Sequence, residues 1–487
     1  MQPSSKVPGR AWVVTFAGMA VNLCLGILYA WSVWKARLIA STEHPAGSPM
    51  EGLDAGWSYL TDAQATWAYA LCGFVFALTM VPGGRLQDCR GPRFGATLGG
   101  LFLASGCILA GLMKSYVGLL LGFGVLGGVG MGLGYAAATP AAVKWFGPHR
   151  RGLIVGIVVG GYGGAAIYIA PLAKALIADH GLTGSFVGLG LLFAVVVIIA
   201  GRLLTPPPPG YVPPGPNVGP TATAEAMSKT TTDWSPSEMV RTWQFYGLVF
   251  LFIGSAQSGL LVIANAAPML SKTAGTLAFF AANAWLLASY GGLINASGRI
   301  GTGLYSDRIG RATAYAVNGL VATIGLFLMP TVMASGNVFL LFLAVGVAYW
   351  QYGGGLALMP SFTADFFGPK FLGSNYGLVF LGWGVAFFIP QVAGYIKDAT
   401  GRTDETFYLS GTLLLTAVLL SRFIRRPKHG ADVDADCGRE LGPPDVLEDL
   451  HIVAGPPDIG RTGIGGALND LAGDTDRKHP VGECIGV

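Results

Sequence analysis

Arg299 is the residue whose type and setting point most directly to chemistry. It lies in an apolar stretch, residues 277–302, that is long enough to cross a bilayer. A guanidinium group in hydrocarbon costs about 2.5–3.5 kcal/mol on insertion scales, so it needs a partner, and its planar shape suits a carboxylate. We therefore expect Arg299 to face a central cavity and bind an anion. The alternative is that Arg299 extends towards the cytoplasm beside Arg308.

Two loops carry a second charged pattern, Gly-x-x-x-Asp-x-x-Gly. The first loop contains Asp88 and Arg93, and the second, 219 residues later by the two aspartates, contains Asp307 and Arg311. Glycines permit a tight turn, and an aspartate can cap a helix N-terminus and pair with arginine. The pattern predicts a latch at an inner gate. The alternative is that the arginines only set the orientation of the chain in the membrane.

A second motif repeats at nearly the same spacing. Trp145-Phe-Gly-Pro148 is matched 221 residues later by Phe366-Phe-Gly-Pro369. Two independent motif pairs at one spacing indicate an internal duplication. A duplicated bundle of six helices predicts a binding site at the interface of the halves, near mid-membrane, and rocking of the halves around it, which is alternating access.

The composition places most of the chain in lipid, because 52% of the 487 residues are hydrophobic and only 11% are charged. Backbone groups in hydrocarbon must be satisfied within the segment, so the apolar runs must be helices. We therefore predict an all-α membrane protein with twelve transmembrane helices in two six-helix repeats. The predicted spans are residues 11–34, 63–82, 94–113, 116–140, 153–178, 184–204, 243–268, 277–302, 313–333, 337–360, 373–396 and 407–424.

The predicted domains follow from these runs. Residues 1–204 form the amino-terminal bundle and residues 242–426 the carboxy-terminal bundle. Residues 205–241 form a cytoplasmic linker that is too rich in proline for a helix. Residues 427–487 lack a sustained apolar period, which predicts a disordered cytoplasmic tail.

Lysines and arginines concentrate in the segments that this topology places inside, whereas the outer segments hold few, Lys35 and Lys397 among them. The positive-inside rule then puts both termini in the cytoplasm of a multi-pass protein of the inner (plasma) membrane, with the lipid bilayer as a partner. The sequence shows no nucleotide-binding loop, metal-ligand cluster or activated nucleophile. We expect no enzyme, cofactor, metal or nucleic-acid partner; a polytopic membrane sensor is the alternative of another class.

The loop motif resembles the signature of the major facilitator superfamily, which occupies these same loops. Further strings resemble the oxalate:formate antiporter family, relatives of the proton-linked monocarboxylate transporters, over about residues 10–424. The resemblance implies a secondary active transporter of a small organic carboxylate that binds the anion through the arginine matched by Arg299. The strings include Asn22-Leu-Cys-Leu-Gly-Ile-Leu-Tyr-Ala-Trp-Ser-Val33, Asn295-Ala-Ser-Gly-Arg299 and Tyr352-Gly-Gly-Gly-Leu-Ala-Leu-Met-Pro360.

The resemblance also implies an aromatic lining of the cavity. The alternative for each such residue is ordinary helix packing. A tyrosine in hydrocarbon nevertheless needs a partner for its hydroxyl, so several tyrosines in paired helices favour a polar cavity. The residues at the matching positions are Tyr29, Tyr135, Tyr162, Tyr352 and Phe380.

Departures from the family pattern bear on the substrate. Trp383 stands where oxalate transporters of this family place a lysine. A single cation balances a single carboxylate, and a second carboxylate would be buried without a partner. We therefore expect a monocarboxylate of the formate, lactate or pyruvate type, with oxalate:formate exchange as the alternative. Asn295 replaces the aspartate of monocarboxylate transporters and cannot carry a proton, which leaves exchange, uniport and proton-coupled symport open.

Overall fold

The computed structural model describes residues 7–146, 150–208, 211, 213, 233–275, 277–368 and 370–427. The predicted tail and most of the predicted proline-rich linker lie outside these residues. So do Gly147, Pro148 and Pro369 of the second repeated motif and the side chain of Asp88. The predictions for these residues are therefore not tested by the structure.

Six helices make up the amino-terminal half. Helix α1 includes a 3-10 segment, Gly26–Ala30, and α4 includes a π-helical segment, Leu119–Gly127. Gly181, with φ of +68°, breaks the helical path between α5 and α6. The helices are α1 (Gly9–Leu38), α2 (Asp62–Arg90), α3 (Pro92–Met113), α4 (Tyr116–Val143), α5 (residues 151–180) and α6 (residues 182–203).

Six further helices make up the carboxy-terminal half. They follow the linker in the same order as their counterparts in the first half, as the repeat predicts. They are α7 (Trp243–Ala274), α8 (Trp285–Ile309), α9 (Arg311–Ala334), α10 (Val338–Phe367), α11 (Leu372–Thr400) and α12 (Asp404–Ser421).

By length and composition alone, nine helical stretches of the described residues could cross a membrane. One of them, Leu153–Leu203, comprises α5 and α6 on either side of Gly181. Helices α8 and α12 are less apolar, because α8 carries Arg299 and α12 begins with two acidic residues. Counting α5, α6, α8 and α12 separately gives the predicted twelve, and the fold class is confirmed.

The eighth span is placed differently from the prediction. The expected helix over residues 277–302 is instead a short helix, Ala278–Ala282, followed by a break and then α8. At the break, the side-chain amide of Asn283 donates to the carbonyl of Phe279 at 2.9 Å and accepts from the indole of Trp285 at 3.2 Å. Because α8 continues to Ile309, Arg299 lies about 15 Å from its end at 1.5 Å per residue.

The two repeated loops have the same backbone geometry. Gly91 joins α2 to α3 with φ of +82°, and Gly310 joins α8 to α9 with φ of +87°. Residues with a side chain rarely adopt positive φ, so the glycines permit these tight turns. We call the face that carries both loops the inner face and the opposite face the outer face, following the predicted topology.

The halves meet through repeat-related helices. Helix α2 packs against α11 and α5 packs against α8, which are the pairs expected to exchange under a six-helix repeat, and α1 also contacts α7. Near the outer side the contact is close: a Cβ added to Gly394 of α11 would lie 2.9 Å from the Cα of Ala63 in α2.

Towards the inner face, α5 and α8 separate. Gly164, Gly160 and Gly156 lie one turn apart on the same face of α5. A Cβ added to Gly164 would lie 4.0 Å from the Cβ of Ala296 in α8, whereas one added to Gly160 or Gly156 would meet nothing within 4 Å. The same holds for Gly303 on α8. Helices α5 and α8 therefore diverge towards the inner face, whereas α2 and α11 stay close there: a Cβ added to Gly377 of α11 would lie 3.5 Å from Cγ2 of Val81 in α2.

Candidate substrate-binding site

Arg299 crosses the interface between the halves. Its side chain is only 8% exposed. Nη2 donates to the hydroxyl of Tyr29 in α1 at 3.1 Å, and Nε donates to Oδ1 of Asn295, one turn earlier in α8, at 3.3 Å. The guanidinium thus points towards the other half of the molecule rather than along α8 to the inner face beside Arg308.

The charge of Arg299 has no acidic partner within the described part of the chain, where no Asp or Glu forms an ion pair with it. Its neighbours are the neutral side chains of four tyrosines, which lie within range of its electrostatic field: Tyr29, Tyr135, Tyr162 and Tyr352. A buried cation without a counter-ion is costly. The arrangement therefore favours the arrival of an anion.

A chain of hydrogen bonds extends from Arg299 through both halves. The hydroxyl of Tyr29 lies 2.9 Å from the hydroxyl of Tyr352 in α10, which accepts from Nε1 of Trp383 in α11 at 2.9 Å. The two hydroxyls carry two hydrogens, and the bond between them uses one. The chain thus links Arg299 of α8 to α1, α10 and α11.

Aromatic rings from α2, α4, α5 and α11 surround this chain. The ring of Tyr162 meets that of Tyr29 edge-on with centroids 5.1 Å apart, and Tyr135 meets Tyr162 at 5.3 Å. On the other side, Phe380 stacks on Trp383 at 4.9 Å. All the residues expected to line the cavity therefore converge on one cluster at the interface of the halves.

Phe76 in α2 is part of this cluster, although no sequence pattern singled it out. Its ring contacts those of Tyr135, Phe380 and Trp383, with centroids 5.5, 5.7 and 5.0 Å apart. It is one of several phenylalanines in an apolar helix, so its type and spacing do not distinguish it from a packing residue. It fills the space between the two aromatic walls.

The second loop contains the ion pair that its pattern predicts. Nη2 of Arg311 lies 2.5 Å from Oδ1 of Asp307, and Nη1 of Arg311 donates to the hydroxyl of Ser306. In the first loop, Arg93 is exposed. The structure thus brings Asp307 and Arg311 together. A role of the loops in gating stays a prediction.

A buried ion cluster at the outer side was not predicted from the sequence. Nζ of Lys35 in α1 lies 2.6 Å from Oδ1 of Asp62 in α2, and Lys397 of α11 pairs with the other oxygen of Asp62. Each residue looked ordinary in the sequence, because outer-segment lysines and an acid at a helix start are common. Among the described residues, no group of three or more His, Cys, Asp or Glu is arranged to hold a metal.

The chain is similar to known membrane transporters. The family model of the Major Facilitator Superfamily matches residues 11–389. The oxalate:formate antiporter of Oxalobacter formigenes is 29% identical over 421 residues, which cover 81% of this chain and 92% of that protein. Monocarboxylate transporter 12 of Rattus norvegicus is 26% identical over 384 residues, which cover 75% of this chain and 78% of that protein.

A solved structure supports the same fold. The xylose transporter XylE from E. coli, in a partially occluded inward-open conformation, superposes with a TM-score of 0.59 at 12% identity, covering 86% of this chain and 100% of that one. Identity this low bears on the fold alone. Together with the family model over most of the chain, it shows that this protein is a multi-pass transporter of the major facilitator superfamily.

Proposed function

We propose that the protein is a secondary active transporter that moves a small monocarboxylate, of the formate, lactate or pyruvate type, by alternating access. The main support is Arg299, a buried cation between the halves that has no acidic partner among the described residues. A carboxylate there would receive charge-assisted hydrogen bonds from the guanidinium and would lie beside the tyrosine hydroxyls. Because both halves line the site, binding is coupled to their movement.

The charge balance supports a monoanion. Within the aromatic cluster the described side chains supply one positive charge, and Trp383 occupies a wall position with its indole 1% exposed. The other buried cation, Lys35, is paired with Asp62. The second carboxylate of a dianion would therefore lie in an apolar environment without a cation. Leaving one member of a buried ion pair without its partner costs ~3–5 kcal/mol.

Oxalate:formate exchange is the second candidate, because a relative that covers most of the chain bears the name oxalate:formate antiporter. Asn295 bears on the coupling ion. Its amide oxygen accepts from Arg299, and an amide does not titrate. We infer that this position carries no proton, which leaves anion exchange, uniport, or symport with a proton that travels by another route.

We also propose the orientation and the moving parts. The protein lies in the inner (plasma) membrane with both termini in the cytoplasm. Residues 1–204 and 242–426 move as the two units. The support is the bias of lysine and arginine towards the segments that this topology places inside.

Uptake by purified protein in liposomes tests the substrate. We expect saturable accumulation of labelled formate, lactate or pyruvate above protein-free liposomes, and weaker binding of oxalate. Trials with preloaded anion and with a pH gradient identify the coupling. Binding without accumulation would indicate a sensor instead, and preferential uptake of oxalate would contradict the monoanion assignment.

A further inference from the structure

Buried charges join the outer ends of the two halves. In the amino-terminal half, Lys35 and Asp62 are 1% and 6% exposed and form an ion pair. In the carboxy-terminal half, Lys397 pairs with the second carboxylate oxygen of Asp62, and Oδ1 of Asn265 in α7 accepts from Nζ of Lys35 at 2.8 Å. We call Lys35, Asp62, Asn265 and Lys397 the outer cluster.

Asp398, the residue after Lys397, closes the same interface in another way. Its two carboxylate oxygens accept from the backbone N–H groups of Asp62 and Ala63 at 2.9 and 2.8 Å. These are the first N–H groups of α2, which have no partner within the helix, and the helix dipole favours a negative charge there. Asp398 therefore caps a helix that belongs to the opposite half.

The outer cluster lies between the outer surface and the aromatic site. A cavity of about 340 Å³ on its outer side is lined by Asp62, Asn265 and Lys397 among others. On its inner side, Tyr29 precedes Lys35 by six residues in α1, or about 9 Å of helix. The outer cluster therefore borders this cavity and lies within two helical turns of the aromatic site along α1.

We propose that the outer cluster and Asp398 form the outer gate, which holds the halves together on this side while α5 and α8 are apart on the inner side. The division of charges suits a gate that opens. Lys35 and Asp62 belong to the same half, so they stay paired when the halves separate, and neither is left as a buried lone charge. The bonds that Lys397, Asn265 and Asp398 make to the opposite half are exchanged for bonds to water, as is the bond from Gln391 of α11 to the carbonyl of Ala63 in α2.

Distance measurements between spin labels test the gate. Ser58 and Ala399 are exposed at the outer ends of the two halves, and cysteines there are labelled in a background without the native cysteines. We expect Lys397→Gln and Asp398→Asn each to shift the ratio of long to short distances roughly tenfold towards long, since each removes a charged hydrogen bond between the halves. Lys397→Arg keeps the charge and should retain the parent distribution.

Arg37→Gln is the matched control. Arg37 forms an outer ion pair with Asp54 at 2.7 Å, but both residues belong to the amino-terminal half. It should leave the distances unchanged. Unchanged distances in both Lys397→Gln and Asp398→Asn would overturn the proposal. The inference rests on the alternating access proposed above, but the readout needs no substrate. A protein whose distances shift without carboxylate uptake would retain the gate and lose only the proposed substrate.

Discussion

Arg299 is suited to its position by the shape of its side chain as much as by its charge. Its guanidinium donates to Tyr29 through Nη2 and to Asn295 through Nε. A lysine carries its charge at a single nitrogen and cannot span the same two partners. The orientation of the charge, and so the direction from which an anion is held, depends on the planar group.

Replacement of Arg299 tests this assignment. We expect Arg299→Ala and Arg299→Lys both to lower uptake of a labelled monocarboxylate by roughly 10-fold to 100-fold, because charged hydrogen bonds contribute about 1.5–3 kcal/mol each. Arg308→Lys, an exposed arginine of the same helix, is the control and should transport like the parent. Full activity of Arg299→Ala would show that the anion binds elsewhere.

We expect Trp383 to limit how much negative charge a bound ligand can carry. If the lack of a second cation is what excludes a dianion, Trp383→Lys should raise the affinity for oxalate relative to formate or lactate by about tenfold, as close charge pairs contribute roughly 1.5 kcal/mol or more. Loss of the indole also removes the bond to Tyr352 and the stacking on Phe380. The ratio of the two affinities, measured by competition binding, cancels that common loss.

Trp383→Phe is the control for the lost indole, since it removes the N–H donor without adding charge. Its ratio of oxalate to lactate affinity should match that of the parent. A parent that already prefers oxalate would contradict the charge argument, and Trp383 would then act only as a wall of the aromatic cluster.

At the scale of elements, the break before α8 sets the depth of the anion site. The short helix Ala278–Ala282 ends the apolar run early, and α8 then extends to Ile309. Its rotation places Asn295 and Arg299, one turn apart, on the same face towards α1. Because the loop beyond it lies at the inner face, away from Arg299, we expect that loop to affect the movement of α8 and α9 rather than ligand binding.

Asp307→Asn should therefore change turnover more than binding. The ion pair with Arg311 is half-exposed, since Asp307 is 62% exposed, and pairs of this kind contribute about 0.2–1 kcal/mol. We expect turnover to fall several-fold and the substrate Kd to stay within about twofold, as the populations shift without a change at the site. Asp88→Asn should act in the same direction.

The measurements are equilibrium binding and uptake on the same preparation. Arg308→Gln, an exposed charge in the same loop, is the control. An equal fall in binding and turnover at normal expression would indicate a general folding defect and would argue against a latch.

At the scale of the whole molecule, three features act together. The aromatic cluster holds Arg299 at the interface of the halves, the outer cluster joins the halves on one side, and α5 and α8 separate on the other. The hydrogen-bonded chain from Arg299 through Tyr29 and Tyr352 to Trp383 contains residues of both halves. A ligand bound there would contact residues of both halves, which is the physical requirement for coupling its binding to rocking of the halves.

The sequence by itself determined the elements of this architecture. Apolar runs of bilayer length require helices, and the recurrence of Asp88 and Asp307 in matching loops requires two related halves, because these signals are local and need no partner. The cost of a charge in hydrocarbon singled out Arg299 for the same reason. The resemblance then indicated most of the aromatic residues around it.

Only the tertiary structure decided the partners. Lys35, Asp62 and Lys397 are far apart in the chain, and their pairing depends on the rotation and tilt of α1, α2 and α11, which side-chain packing sets. The same applies to Phe76 between the aromatic walls and to the direction of Arg299 towards Tyr29. Helix periodicity shows that a segment crosses the membrane, but which side chains meet across an interface is determined when the helices pack together.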